Sequence, residues 1–234
     1  AYGITLQIDS GVKVIGNGGN IKVFGTLNAI GTVDSKIIFD NVNIVPGNGG
    51  SSQQFNLNID FAEITSGGIY YPTGNAIYGK ISLKNSVLTN IGYMYIWYPV
   101  ANSYIEKNIF INSGGISVGL SGGNSVTISN NAFYGSTGDN GTVYAIKNWA
   151  SYATSELIVL NNSFLNTDRV ALMLQYSHSK MTAINNFWST TNTSVIDTMI
   201  YDKSDDLSLP AYITYAPYLT AENLNTPDAT PYIP

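Results

Sequence analysis

The sequence predicts an all-β solenoid of about seven to eight stacked coils, each built from three short strands. Helical periodicity is nearly absent, and short β-rich runs bounded by Gly, Asn and Ser fill the chain. A six-residue pattern also recurs every 20 to 24 residues along most of the chain. Because one coil of that length cannot bury its own apolar face, its neighbours must stack on it.

The recurring unit is an apolar residue, two variable residues, a small polar residue, one variable residue and a large apolar residue. Five clear copies begin at Leu83, Ile105, Ile128, Val159 and Ala183. Weaker copies occupy 39–44 and 59–64. The fourth positions are separated by 20, 24, 22, 23, 31 and 24 residues. The 31-residue step includes 135–141, which we expect to form a loop that protrudes from one coil.

The fourth and sixth positions of the unit predict the interior of the solenoid. The fourth positions of the clear copies are Ser86, Asn108, Asn131, Asn162 and Asn186. Asn tolerates left-handed backbone angles at sharp turns, so stacked copies predict a ladder of side-chain to main-chain hydrogen bonds that satisfies buried turn amides. The sixth positions, which predict an interior aromatic stack, are Leu88, Phe110, Phe133, Phe164 and Trp188.

The chain reads as one β-helical domain over 1–224, with a cap at about 189–220 and a Pro-rich tail or linker over 225–234. In the cap, a capping-box-like sequence starts at Ser194, and the apolar residues that follow share one helical face. We expect a short helix there to close the open end of the core, and 212–215 to return as a strand. The tail composition favours a module of a larger surface protein.

Composition excludes several classes of protein. The absence of Cys removes disulfides, thiol nucleophiles and thiolate metal sites. A net charge of −5 and a pI near 4.6 argue against nucleic acid and anionic membranes as partners. No run approaches the roughly 18 apolar residues of a membrane span, so we expect no membrane insertion.

The Asn-rich fourth position, the coil length and the stacked aromatic residues resemble the right-handed parallel β-helix of the pectin-lyase-like superfamily. The opening segment, 5–32, is similar to the first coils of bacterial surface β-helix modules, and 185–219 resembles their C-terminal cap. The resemblance implies a right-handed parallel β-helix that is secreted or displayed on a bacterial cell surface. It implies no single activity, because the superfamily holds lyases, hydrolases, epimerases, phage tailspikes and adhesins.

The enzymes of this superfamily imply candidate catalytic residues. The pectin hydrolases share four motifs, and this chain matches one of them, Asn-Thr-Asp, at 166–168. The only Asp-Asp, at 205–206, follows the single His and so is in the wrong order, and the Gly-His-Gly and Arg-Ile-Lys motifs do not occur. The lyases use a basic residue and a cation, for which Lys147, Arg169 and Asp168 are the candidates. The alternative is that Asp168 and Arg169 form a surface ion pair.

One acidic segment, 202–206, is a candidate metal site. Hard cations prefer oxygen ligands, so Asp202, Asp205 and Asp206 predict Ca²⁺ as the candidate cofactor. The segment lacks the Gly and the closing Glu of an EF-hand loop. The alternative is a solvated turn between the cap helix and the last strand.

Seventeen Tyr and three Trp in a chain with only 11% charged residues suggest a binding surface. Residues 93–98 alternate, so inward-facing Met94 and Ile96 would place the intervening rings outside. The candidate ligand-binding residues are Tyr93, Tyr95, Trp97, Trp149 and Tyr176. Sugar rings stack on such side chains, which predicts a glycan platform. The alternative is that outward Tyr residues only stabilise stacked strands.

The leading prediction is therefore a non-catalytic extracellular module that binds a polysaccharide or a cell-surface glycan, or that serves in adhesion. One alternative is a polysaccharide lyase or hydrolase of the same fold. A second alternative is a structural spacer or fibre-forming module whose surface contacts only other copies.

Overall fold

The computed structural model describes residues 3–47, 55–69, 79–99, 102–120, 123–151, 155–176 and 178–233. It is an all-β parallel solenoid of about seven turns, with one short α-helix among the described residues, near the C-terminus. The solenoid predicted from the repeat is confirmed. Its strands, numbered β1 to β21 in chain order, form three parallel sheets.

The first sheet contains, in spatial order, β1 (Thr5–Ile8), β3 (Thr26–Ile30), β5 (Phe55–Asp60), β8 (Gly79–Lys84), β11 (Ser103–Glu106), β14 (Ser125–Ser129), β17 (Glu156–Leu160) and β20 (Met181–Thr182). The second contains β10 (Met94–Trp97), β13 (Ile116–Leu120), β16 (Ile146–Ser151), β19 (Leu172–Leu174) and β21 (Ile200–Tyr201). The third contains β18 (Ser163–Phe164), β15 (Ala132–Tyr134), β12 (Ile109–Ile111), β9 (Val87–Thr89), β6 (Ala62–Thr65), β4 (Ile37–Pro46) and β2 (Lys13–Val23), with β7 (Gly68–Ile69) also paired to β4.

The first apolar position of the unit forms one inward column of the first sheet. The residues that pair in register from strand to strand are Ile59, Leu83, Ile105, Ile128 and Val159. All five are buried, because alternate residues of a strand point to opposite faces and these point into the solenoid. The repeat read from the sequence therefore gives the register of stacked coils.

The sixth position forms a stack of rings inside the third sheet. The rings of Phe110 and Phe133 are 4.8 Å apart and nearly parallel, and Phe164 continues the stack at 5.3 Å and Trp188 at a further 5.0 Å. This part of the prediction is confirmed. The weak copy at 39–44 is wrong, because Phe39 pairs with Ile64 and so occupies a sixth position and not a first.

A continuous series of hydrogen bonds follows the fourth position between the first and third sheets. The backbone N–H groups of Ser86, Asn108, Asn131 and Asn162 each donate to the side-chain oxygen of the next fourth-position residue, at 2.8–3.0 Å. Each Asn also donates its side-chain N–H to a strand carbonyl about one coil earlier, as Asn131 does to Ile105 at 2.9 Å. These side chains are buried, so each hydrogen bond gives a partner to a polar group of the turn that solvent cannot reach.

The left-handed backbone lies one residue before the position that we predicted. Positive φ values occur in the third position, at Asn85, Lys107, Asn130, Asn161 and Asn185. The fourth-position residue that follows is free to point inward. The third-position residue therefore adopts the left-handed backbone and the fourth-position residue forms the buried hydrogen bonds, whereas the sequence predicts both roles for one Asn.

The C-terminal cap contains the helix α1 (Thr193–Thr198) followed by β21. The helix starts one residue before Ser194: its N-cap is Asn192, whose side chain accepts a hydrogen bond from the Ser194 N–H. Ile196 and Met199 are buried against the last coil. The predicted returning strand is reduced to a single bridge between Thr214 and Thr182.

The C-terminal tail is docked along the outside of the third sheet. Asn223 donates to Asn130 and to the carbonyl of Asn161, and Thr226 contacts Ser163. A 3₁₀ turn, Thr230–Tyr232, then brings Tyr232 to Lys36, just before β4. The composition predicted a tail or linker here, and the structure adds that this tail crosses the third sheet; its connection to another segment stays a prediction.

We expect Asn131→Ala to lower the free energy of unfolding by about 3–5 kcal/mol, because it leaves buried donors and acceptors without partners. The Asn131 side chain exchanges four hydrogen bonds with Asn108, Ile105 and Asn162. Urea unfolding followed by circular dichroism measures the change. The control is Asn58→Ala, which removes a part-buried amide pair with Asn28 and should cost less than about 1 kcal/mol. Equal losses in the two variants would contradict this account.

Within the cap, Tyr215 is hydrogen-bonded to the helix α1, and this bond makes a pH-dependent contribution to the free energy of unfolding. Its hydroxyl donates to Asp197 at 2.8 Å, and this hydrogen bond, with partial burial, raises the pKa of Tyr215 to about 12. A native pKa above the unfolded value stabilises the fold below about pH 10, and this is lost as the pH rises to 12. Tyr215→Phe should lower the free energy of unfolding by less than about 1 kcal/mol at neutral pH, since the hydrogen bond lies at the surface, and by nothing near pH 12.

Urea unfolding of the wild-type protein and Tyr215→Phe across this pH range makes the comparison. The control is Tyr212→Phe, at a residue that is 62% exposed, which should match the wild type at every pH. A Tyr215→Phe deficit that persists unchanged to pH 12 would show that the hydroxyl does not act through this bond.

Candidate functional site

The second sheet carries the candidate binding residues on its outer face. Met94 and Ile96 are buried, whereas Tyr95 and Trp97 alternate with them and are partly exposed. We call the outward group Tyr93, Tyr95, Trp97, Trp149 and Tyr176 the aromatic face. The structure brings all five together, because successive coils place their residues side by side on this sheet.

Trp97 of β10 and Trp149 of β16 contact each other across β13 because the residue of β13 between them is a glycine, Gly119. Trp97 pairs with Gly119, and the next strand has a β-bulge in which Trp149 is the extra residue. The ring centroids of the two indoles are 4.1 Å apart. A Cβ at Gly119 would lie 3.3 Å from Trp149 and 4.0 Å from Trp97, so any side chain there would crowd this contact.

The rings of the aromatic face pack edge to face and do not form one flat platform. Tyr95 and Trp97 are 5.5 Å apart at 72°, and Trp149 and Tyr176 are 5.3 Å apart at 90°. Such contacts stabilise the cluster by about 0.5–1.5 kcal/mol each beyond burial. The face is therefore corrugated and rigid, with Tyr176, 50% exposed, as its most accessible ring.

The ionisation of Tyr95 reflects its position inside this cluster. Burial, followed by the neighbouring Tyr93 and Tyr98 and the carboxylate of Asp139, raises the pKa of Tyr95 well above its ordinary value. The hydroxyl is therefore neutral throughout the physiological range. It can act as a hydrogen-bond donor at the surface but not as a base.

Lys147 lies on the same outer face but is covered. It occupies the row of Tyr95 and Ser117, yet its exposed fraction is only 5%. Its ammonium group is 3.1 and 3.2 Å from the two carboxylate oxygens of Asp139 and 4.5 Å from the ring centroid of Tyr144. Lys147 is therefore the partner of a buried ion pair and not an available base.

The residues that cover Lys147 belong to the loop predicted from the long repeat step. The predicted loop is 135–141; we call 135–143, which contains it, the inserted loop, and it includes a tight turn with antiparallel hydrogen bonds between Asp139 and Thr142. Thr137 donates to the carbonyl of Ser113, and Arg169 donates to the carbonyl of Ser136. The loop thus folds back onto the second sheet beside the aromatic face and does not protrude freely.

Two of the three candidate catalytic residues, Asp168 and Arg169, pair with each other, and Lys147 has a different partner. Arg169 lies 4.0 Å from Asp168, in a partly exposed ion pair, and also contacts the inserted loop. Lys147 contacts Asp139 and Tyr144 instead. The surface ion pair between Asp168 and Arg169 was the alternative interpretation of these residues and is confirmed.

The three candidate calcium ligands stabilise the chain after the cap helix. The buried Asp202 accepts hydrogen bonds from the backbone N–H groups of Ser204 and Ile213, at 2.8 and 2.7 Å. Asp205 accepts from the N–H of Asp202, and Asp206 accepts from the N–H of Ser208. Hydrogen bonds from the side chain and the backbone N–H of Ser208 lower the pKa of Asp206. Among the described residues, no group of three or more acidic or His side chains is placed to hold a metal ion.

Sequence reasoning missed Asp139 and Gly119. Asp139 is the only charged residue in the inserted loop and lies eight residues before Lys147, which was a usable signal. Gly119 lies 22 residues after Trp97, one coil by the repeat, so its proximity to the indole could also have been read. The bulge at Trp149 had no signal in the sequence, because it interrupts the regular register.

Comparisons of the chain with protein-family models, with curated proteins and with solved structures find no match. Within the part of the chain that the structure describes, no helix has the length and apolar character needed to cross a membrane. The fold and the geometry of the aromatic face are therefore the basis for a functional proposal.

We expect Lys147→Met to lower the free energy of unfolding by about 2–3 kcal/mol, because it leaves the partly buried Asp139 without its counter-ion. The double variant Lys147→Met with Asp139→Asn should recover part of this loss, which a double-mutant cycle measures as a coupling energy. Lys13→Met, in the exposed pair with Asp40, is the control and should cost under about 0.5 kcal/mol. Additive losses in the cycle would exclude direct coupling.

Proposed function

We propose that the aromatic face binds a polysaccharide on the outside of the solenoid and that the protein is a non-catalytic binding or adhesion module. The observation that carries the proposal is the clustering of Tyr95, Trp97, Trp149 and Tyr176 on one outer surface, with partial exposure. Sugar rings present C–H faces that pack on aromatic rings, and a rigid sheet holds such rings in place.

The rigidity of the cluster supports a binding role. Trp97 contacts Tyr95, Tyr98 and Trp149, so its ring is held from several sides. A surface whose side chains are already ordered loses little conformational entropy when a ligand arrives. Edge-to-face packing therefore favours binding as well as the stability of the sheet.

The inserted loop supports the position of the binding surface. Because Asp139 pairs with Lys147, which lies in the same row of the second sheet as Tyr95, the loop lies near that edge of the aromatic face. The loop gives one side of an otherwise regular sheet a wall. A polymer chain lying on Trp149 and Tyr176 would be bounded on that side, which favours an extended ligand over a globular one.

The broader assignments rest on the sequence resemblance. We infer that the solenoid is right-handed and related to the pectin-lyase-like superfamily, and that the protein is a secreted or cell-surface module of bacterial origin. A polysaccharide or cell-surface glycan is then the expected partner. Lys147 is paired with Asp139, and Asp202 accepts a hydrogen bond from the backbone of the cap. These contacts support binding that uses neither a catalytic base nor Ca²⁺.

Affinity electrophoresis through gels that contain neutral or acidic polysaccharides tests the proposal. We expect at least one polymer to retard the protein, and Trp149→Ala to weaken binding about tenfold because it removes a central ring. Tyr176→Ala should also weaken binding, whereas Tyr176→Phe keeps the ring and should bind nearly as the wild type does.

Tyr104→Ala is the matched control, because Tyr104 is a half-buried ring on the outer face of the first sheet, near Lys80 and Lys84. It should bind as the wild type does. Unchanged mobility of the wild-type protein in every gel would refute the glycan proposal. If light scattering also showed assembly without polysaccharide, the spacer or fibre-forming alternative would be favoured.

A further inference from the structure

The second sheet, which carries the aromatic face, is the least charged of the three sheets. Its five strands, all of them described, contain one charged residue, Lys147. The strands of the first sheet contain Asp60, Lys80, Lys84, Glu106 and Glu156, and those of the third sheet contain Lys13, Lys22, Asp40 and Glu63. A ligand on the aromatic face therefore meets rings and hydroxyl groups, with little formal charge in the strands below them.

The charge of Lys147 is already balanced. Its ammonium group is 3.1 and 3.2 Å from the two carboxylate oxygens of Asp139, and the two side chains are only 6% and 12% exposed. The ring of Tyr144, whose centroid is 4.5 Å from the same ammonium group, covers it further. For an incoming anion, the attraction to Lys147 is opposed by the repulsion from Asp139 at a similar distance, so the pair attracts it weakly.

The accessible groups of the aromatic face suit neutral sugars. Tyr176, the most exposed ring, presents a hydroxyl that can both donate to and accept from a sugar hydroxyl. Ring faces carry a negative partial charge, so they would repel a carboxylate or a sulfate on a stacked sugar, and that anion would lose water without gaining a counter-charge. The net charge of −5 adds a longer-range repulsion.

We propose that the aromatic face selects neutral polysaccharides, whose sugars carry hydroxyl groups, over polysaccharides that carry carboxylate or sulfate groups. The inference rests on the proposed function, because it names the ligand class of the same surface. Its basis is electrostatic: the one cation of the sheet is balanced by Asp139, and the rings themselves disfavour an anion.

Three pairs of polymers, each with one backbone in a neutral and an acidic form, test the selection: hydroxyethylcellulose and carboxymethylcellulose, dextran and dextran sulfate, and a β-1,3-glucan and its carboxymethyl derivative. Isothermal titration calorimetry on the full chain, at low and at high NaCl concentration, gives the affinities. We expect at least one neutral polymer to bind, its acidic partner to bind at least about fivefold more weakly at low salt, and salt to narrow this difference by screening. The affinity for the neutral polymer should change less than about twofold with salt.

Met173→Lys tests whether charge is the discriminating property. Met173 is the partly exposed residue that pairs with Lys147 on the next strand, so a lysine there adds a positive charge that Asp139 does not balance. It should raise the affinity for the acidic polymer about threefold to fivefold at low salt and leave the neutral affinity within about twofold. Met173→Gln is the matched control and should change neither. An acidic affinity that stays the same in Met173→Lys would overturn the proposal.

The failure of this inference and the failure of the proposed function give different results. An acidic polymer that binds as tightly as its neutral partner, and that Trp149→Ala weakens, would overturn the selection and leave the binding function standing. Lys180→Gln then shows whether Lys180, exposed and four residues after Tyr176, supplies the counter-charge. No binding of any polymer, or binding that Trp149→Ala leaves unchanged, would overturn the proposed function and this inference with it.

Discussion

The hydrogen bonds of the buried Asn side chains, between the first and third sheets, control the rest of the structure. The turns that contain Asn108, Asn131 and Asn162 are buried, so their backbone groups need partners from a neighbouring coil. Each amide supplies an acceptor to the preceding coil and a donor to one of its carbonyls. A coil displaced by one residue would lose both bonds, so this turn fixes the register in which the aromatic face is assembled.

Most of the repeating structure could be predicted from the sequence because its interactions recur with the chain period. Asn131 and Phe133 show which positions point inward, since the same residue types return one coil later. The ion pair between Asp139 and Lys147, by contrast, has no counterpart in other coils. The outward position of Lys147 can be assigned only after the strands of the second sheet are aligned. The docked tail was unpredictable for the same reason: its contact with Lys36 joins residues 196 positions apart and has no periodic counterpart.

The aromatic face shows why structural and binding interpretations of surface Tyr and Trp residues are compatible. Trp97 is largely a packing residue, because its ring contacts three other rings and its indole N–H has no hydrogen-bond partner among the described residues. Tyr176 contacts the ring of Trp149, and half of its surface is exposed. The inner rings hold the outer one in position, as a rigid scaffold does for a binding group.

The two non-repeating elements are where this solenoid departs from a uniform rod. Stacked coils present flat or convex sheets, on which a ligand finds area but no enclosure. The inserted loop adds a wall to the second sheet, and the tail adds a roof to the third, each anchored by polar contacts to coils distant in sequence. Since insertions in repeat proteins emerge on particular faces and often carry function, the loop and the tail mark the two faces of the solenoid that differ from the uniform coils.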